Sequence, residues 1–369
     1  MSSEESVYVQ LGPRKWKLGG EYLKLMEPCN QCLEAEDVGL ALRNQLDEKG
    51  YIYLKHVIPE DDVLKARATG KMASDFAKIE LVYLVSVLEY IQNLNDTGLL
   101  EKPVFSSSYI DGILSRGCDV GCVPFMEGSN PITTHPAVSA IIENPKLYQI
   151  FTNIFHGVRP ITFGYKWLRG MHQGGNTGCH MDRVYMNRGS SQLLTCWIPL
   201  DNLTLDMSVL AVLEGSHRMD RPDESGYTKL QNTYANMDVD RDKLQGTGWF
   251  TQDPMEFYQL NDVSKTEDTS APVWKTTAFS AGDILIFTMR TIHMSSINLT
   301  NRLRLSCDTR WQPANEPVDP RFIQQDKKMP LGHAETKFGL YAKSDDNIED
   351  GKTTMEHWRE KWGFLINSS

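Results

Sequence analysis

Residues 281–311 read AGDILIFTMRTIHMSSINLTNRLRLSCDTRW. Ile284–Phe287 and Leu303–Trp311 are short β-type runs, separated by polar residues that include the turn-forming stretch Asn298–Arg302. The same texture extends back to residue 160, in Ile161–Leu168, Gln192–Pro199, Val209–Leu213 and Val273–Phe279. Many short strands without alternating helices point to a sandwich or jelly roll. The N-terminal part reads differently. Val38, Ala41, Leu42 and Leu46 recur at helical spacing and Gly50 follows as a closing residue. Tyr51–Val57 reads as a strand, and Pro59 with Glu60, Asp61 and Asp62 reads as the acidic first turn of a helix. Helical pattern continues to about residue 94, residues 95–134 read as loop, and 136–156 read as two short helices split at Asn144-Pro145. The expected fold class is therefore mainly β with flanking helices. We expect a single domain over 1–369: a mostly helical part at 1–158, a β core at 159–315 with a lid-like excursion at 217–270, and an extension at 316–369.

Bulk properties narrow the partners. Lys and Arg number 38 and Asp and Glu 48, a net charge of −10. An acidic chain without a basic run is a poor match for nucleic acid or an anionic membrane surface. The opening MSSEESVYVQ lacks the basic and apolar regions of a secretory signal, and the apolar window Ile79–Ile91 is too short to span a bilayer. Seven cysteines in a chain of this size do not suggest a disulfide framework, so a reduced, cytoplasmic setting is expected. Cys29 and Cys32 form a lone CxxC, without the second pair that a zinc ribbon needs, and read as ordinary thiols.

The chemistry is concentrated in His180-Met181-Asp182, His293 and Arg304. Two imidazoles and one carboxylate are the ligand set of a non-haem iron(II) oxygenase, in which three protein ligands leave positions open for co-substrate and oxygen. On an extended strand, residues two apart face the same way, so His180 and Asp182 can reach one metal while Met181 points away. His293 must arrive from another strand. Arg304 follows it by eleven residues, which places it on the next strand, antiparallel to the one carrying His293. A guanidinium there can grip a dicarboxylate co-substrate with two hydrogen bonds. Ser295, two after His293, can add a hydroxyl to the same carboxylate. The alternative readings are plain ones: structural polar residues for the triad, and a surface arginine for Arg304 within the set Arg302, Arg304 and Arg310.

TGCHMDRVYMNRG (177–189), LLTCWIPL (193–200), LEGSH (213–217), residues 281–298 and RLRLSCDTRWQPANEPVDPRF (302–322) resemble the phytanoyl-CoA dioxygenase family. LDEKGYIYLKHVIPEDDVLKAR (46–67) is similar to that family's opening helix, strand and helix, and EHWREKWGF (356–364) to its closing segment. The resemblance implies a double-stranded β-helix core, the jelly roll of the cupins. It implies iron(II) at His180, Asp182 and His293, and 2-oxoglutarate at Arg304 with help from Ser295, with Trp197 as an aromatic near the co-substrate. It also implies molecular oxygen as oxidant, with ascorbate as an accessory reductant. Tyr165 and Trp167 share a strand face ahead of the HxD; if that face is inward they line the pocket, and otherwise they are core. Arg169, Arg183 and Tyr185 flank the site as candidate contacts to an acidic substrate, although strand parity turns Arg183 away from the metal. His172, in a Gly-rich loop, is expected to face solvent.

The implied reaction is oxidation of an unactivated C–H bond of a small metabolite, ending in hydroxylation, desaturation or ring closure. Retention of Asp182 disfavours halogenation, because related halogenases carry a small residue there. An acyl-CoA hydroxylase of lipid metabolism is an alternative, but the sequence shows no signature that would cradle phosphates. The remaining rivals are a cupin-like metalloenzyme that uses no oxoglutarate and a catalytically silent binding protein. Arg304 argues against the first, and the intact triad against the second.

Overall fold

The computed structural model describes residues 6–67, 127–128, 136–171, 173–218, 226–237, 244, 247–260, 273–319, 321–322 and 353–364. The apolar window at 79–91, the helical reading from 68 to 94, the loop reading of 95–134 apart from 127–128, Cys118, Cys122, His172 and much of the 217–270 excursion lie outside these residues.

Thirteen strands can be followed in chain order. A hairpin joins β1 (Tyr8–Leu11) to β2 (Arg14–Lys17). Then come β3 (Leu23–Leu25), β4 (Tyr51–Leu54), β5 (Glu127–Gly128), β6 (Pro160–Thr162) and β7 (Lys166–Met171). The rest are β8 (Leu194–Pro199), β9 (Leu210–Leu213), β10 (Trp274–Thr276), β11 (Ile284–Thr288), β12 (His293–Ser295) and β13 (Arg304–Pro313). The larger sheet runs β4-β11-β8-β13-β7-β5, with β6 also pairing β13, and the smaller runs β12-β9-β10-β3. Pairing is antiparallel except between β10 and β3. The two sheets make the jelly roll. Three strands from before residue 159 complete it: β3 edges the smaller sheet, and β4 and β5 edge the larger.

Alternation along the strands divides the interior in two. On the larger sheet, Ile52, Leu54, Leu168, Cys196, Ile198, Ile284, Ile286, Leu305, Cys307 and Trp311 face outward into one apolar cluster. Helices α1 (Val38–Lys49), α2 (Glu60–Arg67), α3 (Pro136–Ile142) and α4 (Pro145–Ile154) cover it with Leu42, Leu46, Val63, Val138, Ile141, Leu147 and Phe151. Local chemistry sets the helix ends. The Asp37 carboxylate accepts from the Leu40 amide, and Gly50 closes α1 at φ +83° while donating to Leu46. Asn144 caps α4, with Pro145 in its first turn. The split at Asn144-Pro145 and the Gly50 stop are thus both as the sequence predicts.

Two strand readings change. The run Ile161–Leu168 breaks into β6 and β7, which pair with different ends of β13. Arg304 begins a strand of the larger sheet, whereas β12, which carries His293, belongs to the smaller one. The two strands are therefore not antiparallel neighbours. Asn298 explains this. Its amide donates to Met171 O at 3.0 Å and Arg302 O at 2.8 Å, so the turn after β12 is tied to the opposite sheet and carries the chain across the sandwich.

Trp311 is the main anchor of the helical layer. Its ring stacks on Phe151 at 4.6 Å and 9°, and its Nε1 donates to Thr309 Oγ1 at 2.8 Å. Phe151 is fully buried on the side of the sheet away from the cleft. Phe151→Ala should cost about 3–5 kcal/mol of stability. Thermal melting should show that loss, while divalent metal affinity measured well below the melting range stays within about threefold of the parent. A matching collapse of metal affinity would show that the helical layer shapes the site directly.

Candidate metal centre

Three donor side chains converge between the sheets. His180 and His293 form an isolated antiparallel bridge, each amide donating to the other's carbonyl at 3.0 Å. Met181 stays extended, and a single 3-10 turn begins at Asp182. The HxD thus lies on a one-pair bridge followed by a turn, rather than within the continuous strand expected. Met181 packs into the apolar cluster behind the smaller sheet, away from the cleft.

The donor atoms of His180, Asp182 and His293 all lie within 4.8 Å of one another. Asp182 Oδ1 is 3.8 Å from His180 Nε2 and 3.9 Å from His293 Nε2. Each imidazole uses the carbonyl two residues back: His180 Nδ1 is 2.9 Å from Gly178 O, and His293 Nδ1 is 3.0 Å from Thr291 O. A carbonyl only accepts, so both Nδ1 atoms carry the proton and both Nε2 lone pairs face inward. The other Asp182 oxygen, Oδ2, accepts from the Thr195 hydroxyl and forms an ion pair with Arg310 Nη2 at 3.1 Å. That fixes the carboxylate with Oδ1 toward the imidazoles. The donor set fits a divalent metal such as iron(II).

Protonation agrees with this arrangement. Burial, and then the neighbouring His293, push His180 down to about 3. Burial also lowers His293. For Asp182 burial acts upward, but the Arg310 guanidinium, the two imidazoles and the Thr195 hydroxyl outweigh it and hold the carboxyl well below the usual range. At neutral pH the site is two neutral imidazoles and a carboxylate, ready for a cation without deprotonation.

The cleft at this site is partly open to solvent. Its walls include Arg169, Thr177, Thr195, Trp197, Leu210, Phe287, Arg304, Asp308 and Arg310 beside the three donors. Arg304 and Arg310 are 1% and 2% exposed, so neither is the surface arginine of the plain reading. Arg304 donates to Ser306 Oγ and, at 3.5 Å, to Ser208 Oγ, with its guanidinium carbon 6.0 Å from the Trp197 ring. Ser295 stands one step further back. Its Oγ accepts from the Thr177 amide at 2.7 Å and from Ser208 Oγ at 3.1 Å. Arg169 is held by Asp308 at 2.8 Å.

The other sequence candidates fall outside the lining. Trp167 lies beneath the Arg310 guanidinium at 4.7 Å, and Tyr165 packs against Trp167 at 4.6 Å. The Arg183 guanidinium reaches Asn236 Oδ1 and Met289 Sδ. Tyr185 packs its ring edge-on to His180 at 5.8 Å and donates its hydroxyl to Thr247 O. Thr195, Ser208 and Asp308 are not singled out from sequence as site residues, and Arg310 appears there only within the set Arg302, Arg304 and Arg310. Alternation on β13, which puts Arg304, Ser306, Asp308 and Arg310 on one face, is the signal that could have found Asp308 and Arg310. Cys29, Cys32, Cys179, Cys196 and Cys307 are free and buried, and burial with Cys32 alongside pushes Cys29 up to about 12.

This combination of fold and site defines the class: a non-haem iron(II), 2-oxoglutarate-dependent oxygenase. The family model described as phytanoyl-CoA dioxygenase (PhyH) matches residues 124–306, a stretch that holds all three donors and Arg304. The chain belongs to that family. No curated protein matches the chain. Among solved structures, it is similar to the non-haem α-ketoglutarate-dependent epimerase SnoN from nogalamycin biosynthesis, at 14% identity over 86% of this chain and 95% of that one, with a TM-score of 0.45. It is also similar to the carbocyclase SnoK from nogalamycin biosynthesis, at 14% identity over 83% and 96%, TM-score 0.44.

The site makes two predictions. Thr195→Val removes one of the two partners of Asp182 Oδ2 and should weaken metal binding roughly 10–100-fold without unfolding the protein. Equilibrium titration with a divalent metal, alongside circular dichroism, checks this; unchanged affinity would show that Arg310 alone suffices. The second concerns acid. The two imidazoles titrate lower in the folded than in the unfolded chain, whose value is about 6.5. Below that pH the unfolded chain takes up protons that the folded one refuses, so stability falls as pH drops. Asp182, held low in the fold, adds to the loss below about pH 4. Urea midpoints of the metal-free protein should decline steadily from pH 7 to pH 5, and a flat profile would contradict neutral buried imidazoles.

Proposed function

We propose that His180, Asp182 and His293 hold the iron, and that Arg304, over Trp197 and backed by Ser208 and Ser295, receives the distal carboxylate of 2-oxoglutarate. The observation that carries this is the convergence in one cleft of two Nε2 lone pairs, one oriented carboxylate oxygen and a buried guanidinium. When bound, iron with oxoglutarate and oxygen supplies oxidative decarboxylation to succinate and the power to oxidise an unactivated C–H bond. The chain's own task is to orient and to exclude water. The Nδ1–carbonyl bonds fix the imidazoles, Thr195 and Arg310 fix Asp182, and Trp197, Leu210 and Phe287 supply apolar wall. A small metabolite suits the cleft, with hydroxylation, desaturation or ring closure as the outcome; retained Asp182 favours these over halogenation. We further propose one dioxygenase domain over the whole chain, acting in the cytoplasm in specialised metabolism. Free, buried thiols support the reducing compartment. No helix among the described residues is long and apolar enough to cross a membrane.

Oxoglutarate-dependent oxygen uptake and succinate formation, with iron(II) and ascorbate supplied, test the proposal. The parent protein should show both, and zinc in place of iron should abolish them. His180→Ala should lose iron and turnover together. Arg304→Ala removes one partner of a buried charge pair worth roughly 2–5 kcal/mol, so half-saturation by oxoglutarate should rise thirtyfold or more, with little change in iron affinity. Parent-like behaviour in either variant would remove that residue from its assigned role.

A further inference from the structure

Arg310 is only partly used by the site as described so far. It sits on the inner face of β13 with 2% exposure. Trp167 covers one face of its guanidinium at 4.7 Å, and Nη2 forms an ion pair with Asp182 Oδ2 at 3.1 Å. Nε and Nη1 are also buried, and among the described residues neither meets a hydrogen-bond partner. Buried donors are seldom left without acceptors unless something else supplies them. The side chain lines the cleft, so a bound molecule can do so.

Charge counting says what kind of molecule. Among the described lining residues, Arg169 is matched by Asp308 at 2.8 Å. On the proposed function, Arg304 is matched by the distal carboxylate of oxoglutarate. The two charges of iron(II) are matched by Asp182 and the proximal carboxylate. The charge of Arg310 is then left over, in a place where water cannot screen it. Asp182 compensates it in the metal-free protein, but once its other oxygen binds a cation that compensation is shared. Arg310 also lies beyond the stretch matched by the family model, which ends at residue 306.

We propose that Arg310 receives a carboxylate of the organic substrate, so that the enzyme acts on a small carboxylic acid rather than on a neutral metabolite. This rests on the function proposed above and narrows its substrate class. The guanidinium edge supplies the recognition, Trp167 holds its plane, and the ion pair with Asp182 ties substrate binding to the metal-bearing carboxylate.

The test uses the whole protein with iron(II), without oxygen and with saturating oxoglutarate, so that Arg304 is already engaged. Calorimetry first measures oxoglutarate binding. Phenylacetate and its uncharged amide, phenylacetamide, are then titrated as probes of similar shape. The parent should bind phenylacetate about tenfold or more tighter than the amide. With iron(II) kept saturating, Arg310→Gln should bring the two within about threefold of each other. Arg310→Lys keeps the charge and should keep a reduced preference for the anion, which covers the case in which the glutamine variant loses its metal. Equal binding of the two probes by the parent would overturn the proposal while leaving the function intact. So would a loss of oxoglutarate affinity in Arg310→Gln as large as that in Arg304→Ala while iron(II) stays bound, which would assign Arg310 to the co-substrate. Failure of the parent to bind oxoglutarate at all would overturn both readings.

Discussion

Two backbone hydrogen bonds of 3.0 Å between His180 and His293 hold the site together. They join segments more than a hundred residues apart and set the two imidazoles 4.1 Å from each other, centroid to centroid. Each ring is then locked by the carbonyl two residues upstream, so the same local device is used twice. A single bridge is a weak element by itself, since a lone pair lacks the cooperation of a ladder. Its neighbours reinforce it. On one side β12 pairs with β9 in the smaller sheet. On the other, Cys179 exchanges backbone bonds with the segment Phe250–Thr251 at 2.8 and 2.9 Å.

That supporting segment is fastened from both ends of the chain. Arg14, in the N-terminal hairpin, donates to Asp253 at 2.8 Å. Arg359, in the helix Met355–Lys361, pairs with Glu256, which accepts from Thr251 Oγ1 at 2.6 Å. Trp358 and Phe364 pack into the same apolar cluster as Phe250, Met181 and Cys179. Exposed ion pairs contribute little alone. Here they act on a backbone already placed by packing, and they limit where the strand behind His180 can move.

The convergence of His180, Asp182 and His293 was legible because it depends on side-chain chemistry and order: HxD, a distant histidine and an arginine. The helices at 38–49 and 145–154 were legible because Gly50 and Asn144-Pro145 mark their ends by local stereochemistry. What was not legible depends on register and on crossings between sheets. The sheet to which Arg304 belongs is decided by where the Asn298 amide finds acceptors, 127 residues back along the chain and four ahead. Thr195 faces Asp182 because β8 pairs with β13 so that Thr195 lies opposite Arg310. Slipping that register by one residue would put Leu194 or Cys196 there instead. Ser208 reaches Arg304 from a backbone at φ +54°, a conformation unusual for serine and one the sequence does not announce. The hairpin at residues 8–17 was missed although Gly12-Pro13 marks its turn, because four-residue strands leave too short an alternation to stand out.

One strand illustrates how the fold carries such a polar interior. Along β13, Leu305, Cys307 and Trp311 face the helices while Arg304, Ser306, Asp308 and Arg310 face the cleft. The outer residues bury apolar surface in bulk, which is non-directional and tolerant. The inner ones bring charges into a low-dielectric space, which is unfavourable unless each finds its counter-charge. Asp308 meets Arg169, Arg310 meets Asp182, and Arg304 donates to the Ser306 hydroxyl. Arg310 nonetheless keeps Nε and Nη1 buried without an acceptor among the described residues. Buried donors left without acceptors at the wall of a cleft are the expected mark of a functional position. The stability forgone there is supplied by the helical layer on the far side of the same strand, so that scaffold and site are two faces of a single ten-residue run.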